Sequence, residues 1–402
     1  MVNDLTDSAP LSRNIAVWQD PAETWSFIKG RVALYAILKA AGIGPGDEVV
    51  MPGFTCVVVP AAVRYLGAEP VFHDIDPLRL NGDPELASKL IGPRTKAVLV
   101  QHTFGNVADL GELPDFCRRE GVLLVEDCAH AVGAGLGSSP VGTLGDAAFM
   151  SFQWSKIAST GLGGIARVNN QELARKMVRI YQEDFAEPRW MKSMVLHLLS
   201  TLHRQFYRPE FFWKLQDAYR WAGSHGLVPG SSGRGELDDD TMPDGYCERF
   251  GRPRISAMKR VLTPLPDQLV HRQRLAKFYT EQLETTGCFL PEVLPDSTNV
   301  SLRFPVLVHN RDAMLEVARS ARLEWGDWFD APLHPRQANS CSFGYQDGCC
   351  PRSEWVAARL LNLPTHPKVS ADEAQRLVST LMAEGDLVTG DQITAMMATE
   401  AS

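Results

Sequence analysis

Two short stretches of the chain gather residue types that can do chemistry together. VEDCAHAVGA (125–134) holds a carboxylate, Asp127, and an imidazole, His130. SFQWSKIASTGLGG (151–164) holds a hydroxyl, Ser151, and an amine, Lys156, ahead of a glycine-rich run. A lysine amine condenses with aldehydes. A buried carboxylate keeps a heterocyclic nitrogen protonated, so that the ring can accept carbanion electrons. Hydroxyls and the free amides that open a helix cradle phosphate, and Gly30-Arg31-Val32 offers such a helix start. Amine, carboxylate, phosphate cradle and ring-contacting group are what pyridoxal 5'-phosphate (PLP) requires of a protein. Lys156 is expected to carry the aldehyde as a Schiff base and Asp127 to face the pyridine nitrogen. Ser151, Gly30 and Arg31 are expected to hold the phosphate, and His130 to touch the ring.

The elements that must position these residues show in the hydrophobic pattern. Leu34, Ile37, Leu38 and Ala41 lie on one face of a helix from Val32 to Ala41, which ends at Gly42. The runs 48–51, 70–76, 96–101, 122–127, 147–152 and 164–168 read as buried strands, and 55–66, 84–91 and 108–120 as helices. Asp83 is placed to cap the second of these helices. Short apolar strands alternating with helices predict a largely parallel sheet covered on both faces, with ligands beyond the carboxyl ends of the strands. That places Asp127, Ser151 and the following loops at the site.

At 402 residues the chain exceeds one ordinary core, and the pattern divides it. Residues 1–24 read as an N-terminal arm. Residues 25–250 read as a large three-layer αβα domain that includes an aromatic-rich insert at about 185–245. Residues 251–385 read as a smaller α/β domain, and 386–402 as a flexible tail. In the smaller domain a long helix runs from Pro266 to Glu284. Strands are expected at 300–308 and 321–325, and helices near 351–361 and 371–384.

A formal charge of −8 argues against nucleic acid as the main partner. Eight cysteines form no CxxC pair, so neither a zinc ribbon nor a thioredoxin motif is expected, and no metal. The first residues lack a signal-peptide pattern. The most apolar helical stretch, Met194 to Leu202, is far short of the ~20 residues that span a bilayer. These features predict a cytoplasmic enzyme with no membrane span. GIGPG (42–46) follows a helix and precedes a strand, the wrong order for a dinucleotide loop. His73 and His102 fall on strands and read as structural.

The ordered set of motifs resembles the sugar-nucleotide aminotransferases of the DegT/StrS type, within the fold-type-I PLP enzymes. The resemblance is carried by segments 30–55, 67–77, 93–105, 121–134, 141–156 and 160–164, faintly by RPRISAM (252–258), and again by LNLPTHPKVSADEAQRL (361–377). It implies an amino transfer, from glutamate, to a keto group of a nucleotide-linked deoxysugar. Both half-reactions would take place in a site shared by a homodimer. It also implies that Lys156 bonds the cofactor and Asp127 partners its nitrogen. His130 takes a position that is usually Gln in this family, Ser151 binds phosphate, and His334 in APLHPR lies on the substrate side.

Three departures bear on the site. The position after Thr55, commonly an aromatic that stacks on the cofactor, is Cys56, which leaves room or requires another ring cover. The usual Asn-Tyr-Arg segment reads Arg252-Pro253-Arg254. Either arginine can serve a phosphate or an interface ion pair. The 185–245 insert is longer and more aromatic than in simple members. A cyclitol or aromatic acceptor, or a PLP-binding regulator without turnover, stays open beside the sugar reading.

Overall fold

A computed structural model describes residues 8–187, 236 and 240–400. The aromatic insert falls almost wholly outside these residues, as does the apolar stretch 194–202. The strands used below are β1 (Thr24–Phe27), β2 (Glu48–Pro52), β3 (Thr55–Cys56), β4 (Glu69–His73), β5 (Thr95–Gln101), β6 (Leu123–Asp127), β7 (Ala147–Ser151), β8 (Gly164–Val168), β9 (Arg303–Leu307), β10 (Leu333–His334) and β11 (Leu360–Pro364). Seven of them form one sheet in the order β1-β8-β7-β6-β5-β2-β4. The pairs from β4 to β7 are parallel, and β8 and β1 close the edge antiparallel.

The alternation of side chains along these strands explains the layers. Val49, Met51, Ala97, Leu99 and Val125 face helices α2 (Gly30–Ala40) and α3 (Val58–Arg64). Val50, Val98, Val100 and Leu124 face α4 (Pro84–Lys89) and α5 (Leu113–Glu120). A strand with apolar residues at consecutive positions can satisfy both faces only between two helical layers. Helix α2 is buried along nearly its whole length. Asp83 caps α4 by accepting from the amides of Glu85 and Leu86 at 2.9 and 3.2 Å. Asn170 does the same for α6 (Gln171–Glu183). No described helix is long and apolar enough to cross a membrane.

The C-terminal part contains α7 (Arg252–Leu262), α8 (Leu265–Glu284), α9 (Arg311–Ala321), α10 (Pro351–Ala357), α11 (Ala371–Glu384) and α12 (Gly390–Glu400). Of these, α8, α9 and α11 pack with the antiparallel pair β9–β11 around a core that includes Tyr279, Trp325 and Leu377. The N-terminal helix α1 (Ala9–Ala16) lies against α8, and Leu11, Ile15 and Trp18 are buried. A side chain at Gly133 would meet Leu269 of α8, and one at Gly142 would meet the Trp18 ring at 2.5 Å. Glycine at both positions lets the loop after β6 pass beneath this helix.

Several expected elements differ. Residues 55–56 join a strand, and the helix starts at Val58 with Pro60 in its first turn, where a missing N–H costs nothing. The helix expected at 108–120 begins at Leu113. The strand expected at 321–325 does not form: Ala321 ends α9, Leu323, Glu324 and Trp325 are buried without a ladder, and the next residue, Gly326, makes a single bridge to Asn362. The 351–361 helix stops at Ala357, and the chain then enters β11. The tail expected to be flexible forms α12, with Val388 and Ile393 fully buried. Apolar residues too sparse to show a period were enough to dock it.

Candidate active site

The carboxyl ends of β2, β5, β6 and β7 converge on one place. Asp127 ends β6 and is 4% exposed. One carboxylate oxygen accepts the Ala129 amide at 2.9 Å, and this is its one side-chain hydrogen bond among the described residues. Burial raises the carboxyl to about pKa 6, against the pull of the Ala129 amide, Lys156 and His102. Lys156 follows β7 in a turn closed by its own amide to the Gln153 carbonyl at 3.0 Å. Burial lowers its amine to about pKa 8. Cys56 and Asp127 oppose that shift, and Arg303 and Arg31 add to it. A lysine amine with so low a pKa is partly free at neutral pH.

His130 is buried, and its Nδ1 accepts the Phe104 amide at 3.2 Å. The ring proton is thereby assigned to Nε2. Burial, with Lys156, Arg303 and His334 nearby, holds its pKa well below the usual histidine value. The imidazole is therefore a neutral donor.

The phosphate end is set by a close approach. A β-carbon at Gly30 would lie 2.9 Å from the Ser151 Cβ and 3.3 Å from its hydroxyl. Only glycine lets the Ser151 hydroxyl stand beside the first turn of α2. That helix has no side-chain cap from Lys29, so its first amides point to an anion site. The Arg31 side chain turns away to Glu236 at 2.5 Å, and Lys29 meets the same carboxylate at 3.4 Å. We predict that Gly30→Ala costs ~1–3 kcal/mol of stability by overpacking and weakens phosphate-dependent cofactor binding. Denaturant unfolding and a PLP titration of the apoprotein check the two effects.

Strand β10 pairs in parallel with β3, placing His334 beside Cys56. The Thr55 amide donates to the Pro332 carbonyl and the Val57 amide to the His334 carbonyl, both at 2.9 Å. His334 Nδ1 lies 2.6 Å from Asp330. Burial pushes the Asp330 carboxyl up, but His334, the Arg336 amide and Arg311 together outweigh it and the pKa falls below the usual value. Arg252 and Arg254 lie at the start of α7, and their side chains are outside the described residues.

Sequence reasoning missed two residues at this centre. Lys156 Nζ lies 4.4 Å from the centroid of the Trp328 ring, and the Arg303 guanidinium carbon lies 5.1 Å from the same ring. The signal was the Trp328-Phe329 pair just ahead of APLHPR.

Behind the site, His102 Nε2 meets Glu126 at 3.1 Å, and Glu126 also accepts the amides of Gly142, Leu144 and Gly145. His102, Glu126 and Cys128 are close enough to suggest a metal. However, the other imidazole nitrogen accepts the Ala108 amide, and both carboxylate oxygens are engaged. This cluster ties β5, β6 and the 142–145 loop together.

This set fits PLP. It offers an amine of low pKa, a buried carboxylate with one oxygen unengaged, a neutral imidazole and a glycine-lined anion cradle. Fold and site together define a fold-type-I PLP enzyme. Residues 14–199 and 255–382 match the DegT/DnrJ/EryC1/StrS aminotransferase family, and the chain belongs to that family. It is accordingly a PLP-dependent aminotransferase.

Among relatives, the chain is 29% identical over 373 residues to a dTDP-4-dehydro-2,3,6-trideoxy-D-glucose 4-aminotransferase of Saccharopolyspora spinosa, covering 89% of this chain and 85% of that one. It is 26% identical over 356 residues to a pleiotropic regulatory protein of Geobacillus stearothermophilus, covering 88% and 82%. The structure of the aminotransferase TlmJ from Streptoalloteichus hindustanus superposes with a TM-score of 0.69 at 25% identity, covering 95% and 90%.

Proposed function

We propose that this chain transfers an amino group from glutamate to the keto carbon of a nucleotide-linked deoxysugar, at a site completed in a homodimer. The observation that carries the acceptor is the near full-length similarity to the S. spinosa enzyme, whose acceptor is a dTDP-linked keto-deoxysugar.

Bound PLP would supply an exchangeable carbonyl and an electron sink. Lys156 is the residue that would bond it. Asp127 would face its pyridine nitrogen and hold a proton there. Ser151 with the amides of Gly30 and Arg31 would hold its phosphate, and His130 Nε2–H would donate to the ring's oxygen. Once its amine is free, Lys156 Nζ takes the proton from the donor's α-carbon and later gives one to the acceptor carbon. An amine whose pKa is about 8 can do both near neutral pH. His334, oriented by Asp330, stands beside Cys56, and in this reading it would contact the acceptor. Two half-reactions at one site give ping-pong kinetics.

The test loads the protein with PLP and glutamate and then offers a dTDP-4-keto-deoxysugar, a UDP-keto-sugar or scyllo-inosose. Amination of a nucleotide sugar with parallel-line kinetics is expected. Amination of the cyclitol alone would replace the sugar reading. Bound PLP with no turnover for any donor would favour a regulatory role. Light scattering on a sizing column is expected to give twice the chain mass.

A further inference from the structure

The groups around the Lys156 amine are unequal in size and chemistry. Asp127 and Arg303 bring charge, and Cys56 brings a short side chain. The large flat surface is Trp328. Its ring centroid stands 4.4 Å from Lys156 Nζ, 4.7 Å from the His130 ring and 5.2 Å from Phe329.

The indole is held in place from several directions. The Trp328 amide donates to Asn362 Oδ1 at 3.0 Å, which ties it to β11. Its side chain is 9% exposed. Phe329, next in the chain, is fully buried against Phe54, Phe104 and His130. The β3–β10 pairing brings the 328–334 segment to the strand that carries Cys56. A fixed aromatic face beside a cationic nitrogen and a planar heterocycle attracts both, by cation–π and by stacking interactions.

We propose that Trp328 is the aromatic wall of the cofactor site, its indole face covering the reactive nitrogen on the side that the small Cys56 leaves open. Trp328 faces the reacting nitrogen at cation–π distance. It comes from the C-terminal part of the chain, whereas Lys156, Asp127 and Ser151 come from the sheet. The wall is therefore complete only when the two parts are together. The inference rests on Lys156 being the cofactor-bearing lysine.

The experiment titrates apoprotein with PLP and reads the dissociation constant from the visible absorption band, for wild type and for Trp328→Leu, Trp328→Phe and Cys56→Phe/Trp328→Leu. Borohydride reduction followed by peptide mass mapping locates the adduct in each. Trp328→Leu is expected to bind roughly tenfold more weakly. Trp328→Phe should stay within about threefold of wild type, and a ring restored at position 56 should recover part of the loss. Wild-type affinity in Trp328→Leu overturns the proposal. So does a loss in Trp328→Phe as large as in Trp328→Leu, which keeps the test decisive should the leucine variant fold poorly. An adduct on another lysine in the wild type instead removes the Lys156 assignment, and the proposal with it.

Discussion

Lys156→Ala is expected to abolish the visible band that the wild type develops with PLP and to lower amino transfer by roughly 10³-fold or more. Two functions reside in one amine: attachment of the cofactor, and proton transfer between donor and acceptor carbons. An alanine can do neither, and no second described lysine has its amine in contact with this site's aromatic wall. The prediction has an arm without cofactor. In the apoprotein, burial lowers the Lys156 amine from 10.5 to about 8. The unprotonated, nucleophilic fraction therefore rises as pH increases through about 8, more than two units before an ordinary lysine responds. Labelling with an amine-directed reagent, followed by peptide mapping, should show that early midpoint at Lys156. A midpoint near 10.5 would mean that the amine is solvated and unprepared.

Asp127→Asn is expected to separate activity from stability in opposite directions. Activity should fall by roughly 10²–10³-fold, because the amide cannot offer a negative charge to a protonated ring nitrogen. The apoprotein, however, should become more stable at neutral pH. The Asp127 carboxyl rises from 3.8 to about 6 on folding, chiefly through burial. Its contribution is therefore most favourable below pH 3.8, where it is protonated in both states. Between 3.8 and 6 the unfolded chain releases its proton and the folded one retains it, so stability is lost as pH rises. Above pH 6 the folded apoprotein bears a cost of roughly 2–3 kcal/mol, which asparagine avoids. Denaturant unfolding at pH 8 and pH 4 should show the variant's advantage at the higher pH and little at the lower. Binding of a cationic ring nitrogen offsets that cost in the wild type, so the advantage should shrink when PLP is added.

The parallel sheet and the line of residues at its carboxyl edge were legible because each strand is local. A run such as LLVED carries its own burial pattern and ends on its own functional side chain. Ser151 and Gly30 could each be picked out in the sequence, but not the close approach by which a β-carbon at Gly30 would lie 2.9 Å from the Ser151 Cβ. The Trp328-Phe329 pair stands out in the sequence, but nothing there links Trp328 or Arg303 to Lys156; only packing across the molecule does. The same holds for β3 and β10, two-residue strands whose pairing depends on a partner far away. Residues 323–325 failed for the converse reason. The apolar residues Leu323 and Trp325 on either side of Glu324 mimic a strand in sequence, but all three are buried, and covering side chains does not by itself form a ladder. His102, read from the sequence as structural, bonds Glu126. Its role, holding a carboxylate that gathers three loop amides, depends on Glu126 pointing away from the cofactor face, one step along the strand from Asp127.

The seat of the first helix bears on how the molecule is born. Leu11, Ile15 and Trp18 emerge early from the ribosome, yet part of their cover is α8, and Leu269 is synthesised only after the entire sheet. Until then those three side chains have no completed partner surface, and the loop after Asp127 lacks its lid. A nascent chain stalled before Leu269 should thus expose these apolar side chains to chaperones and to premature association. Release of a chain lengthened past α8 should bury them.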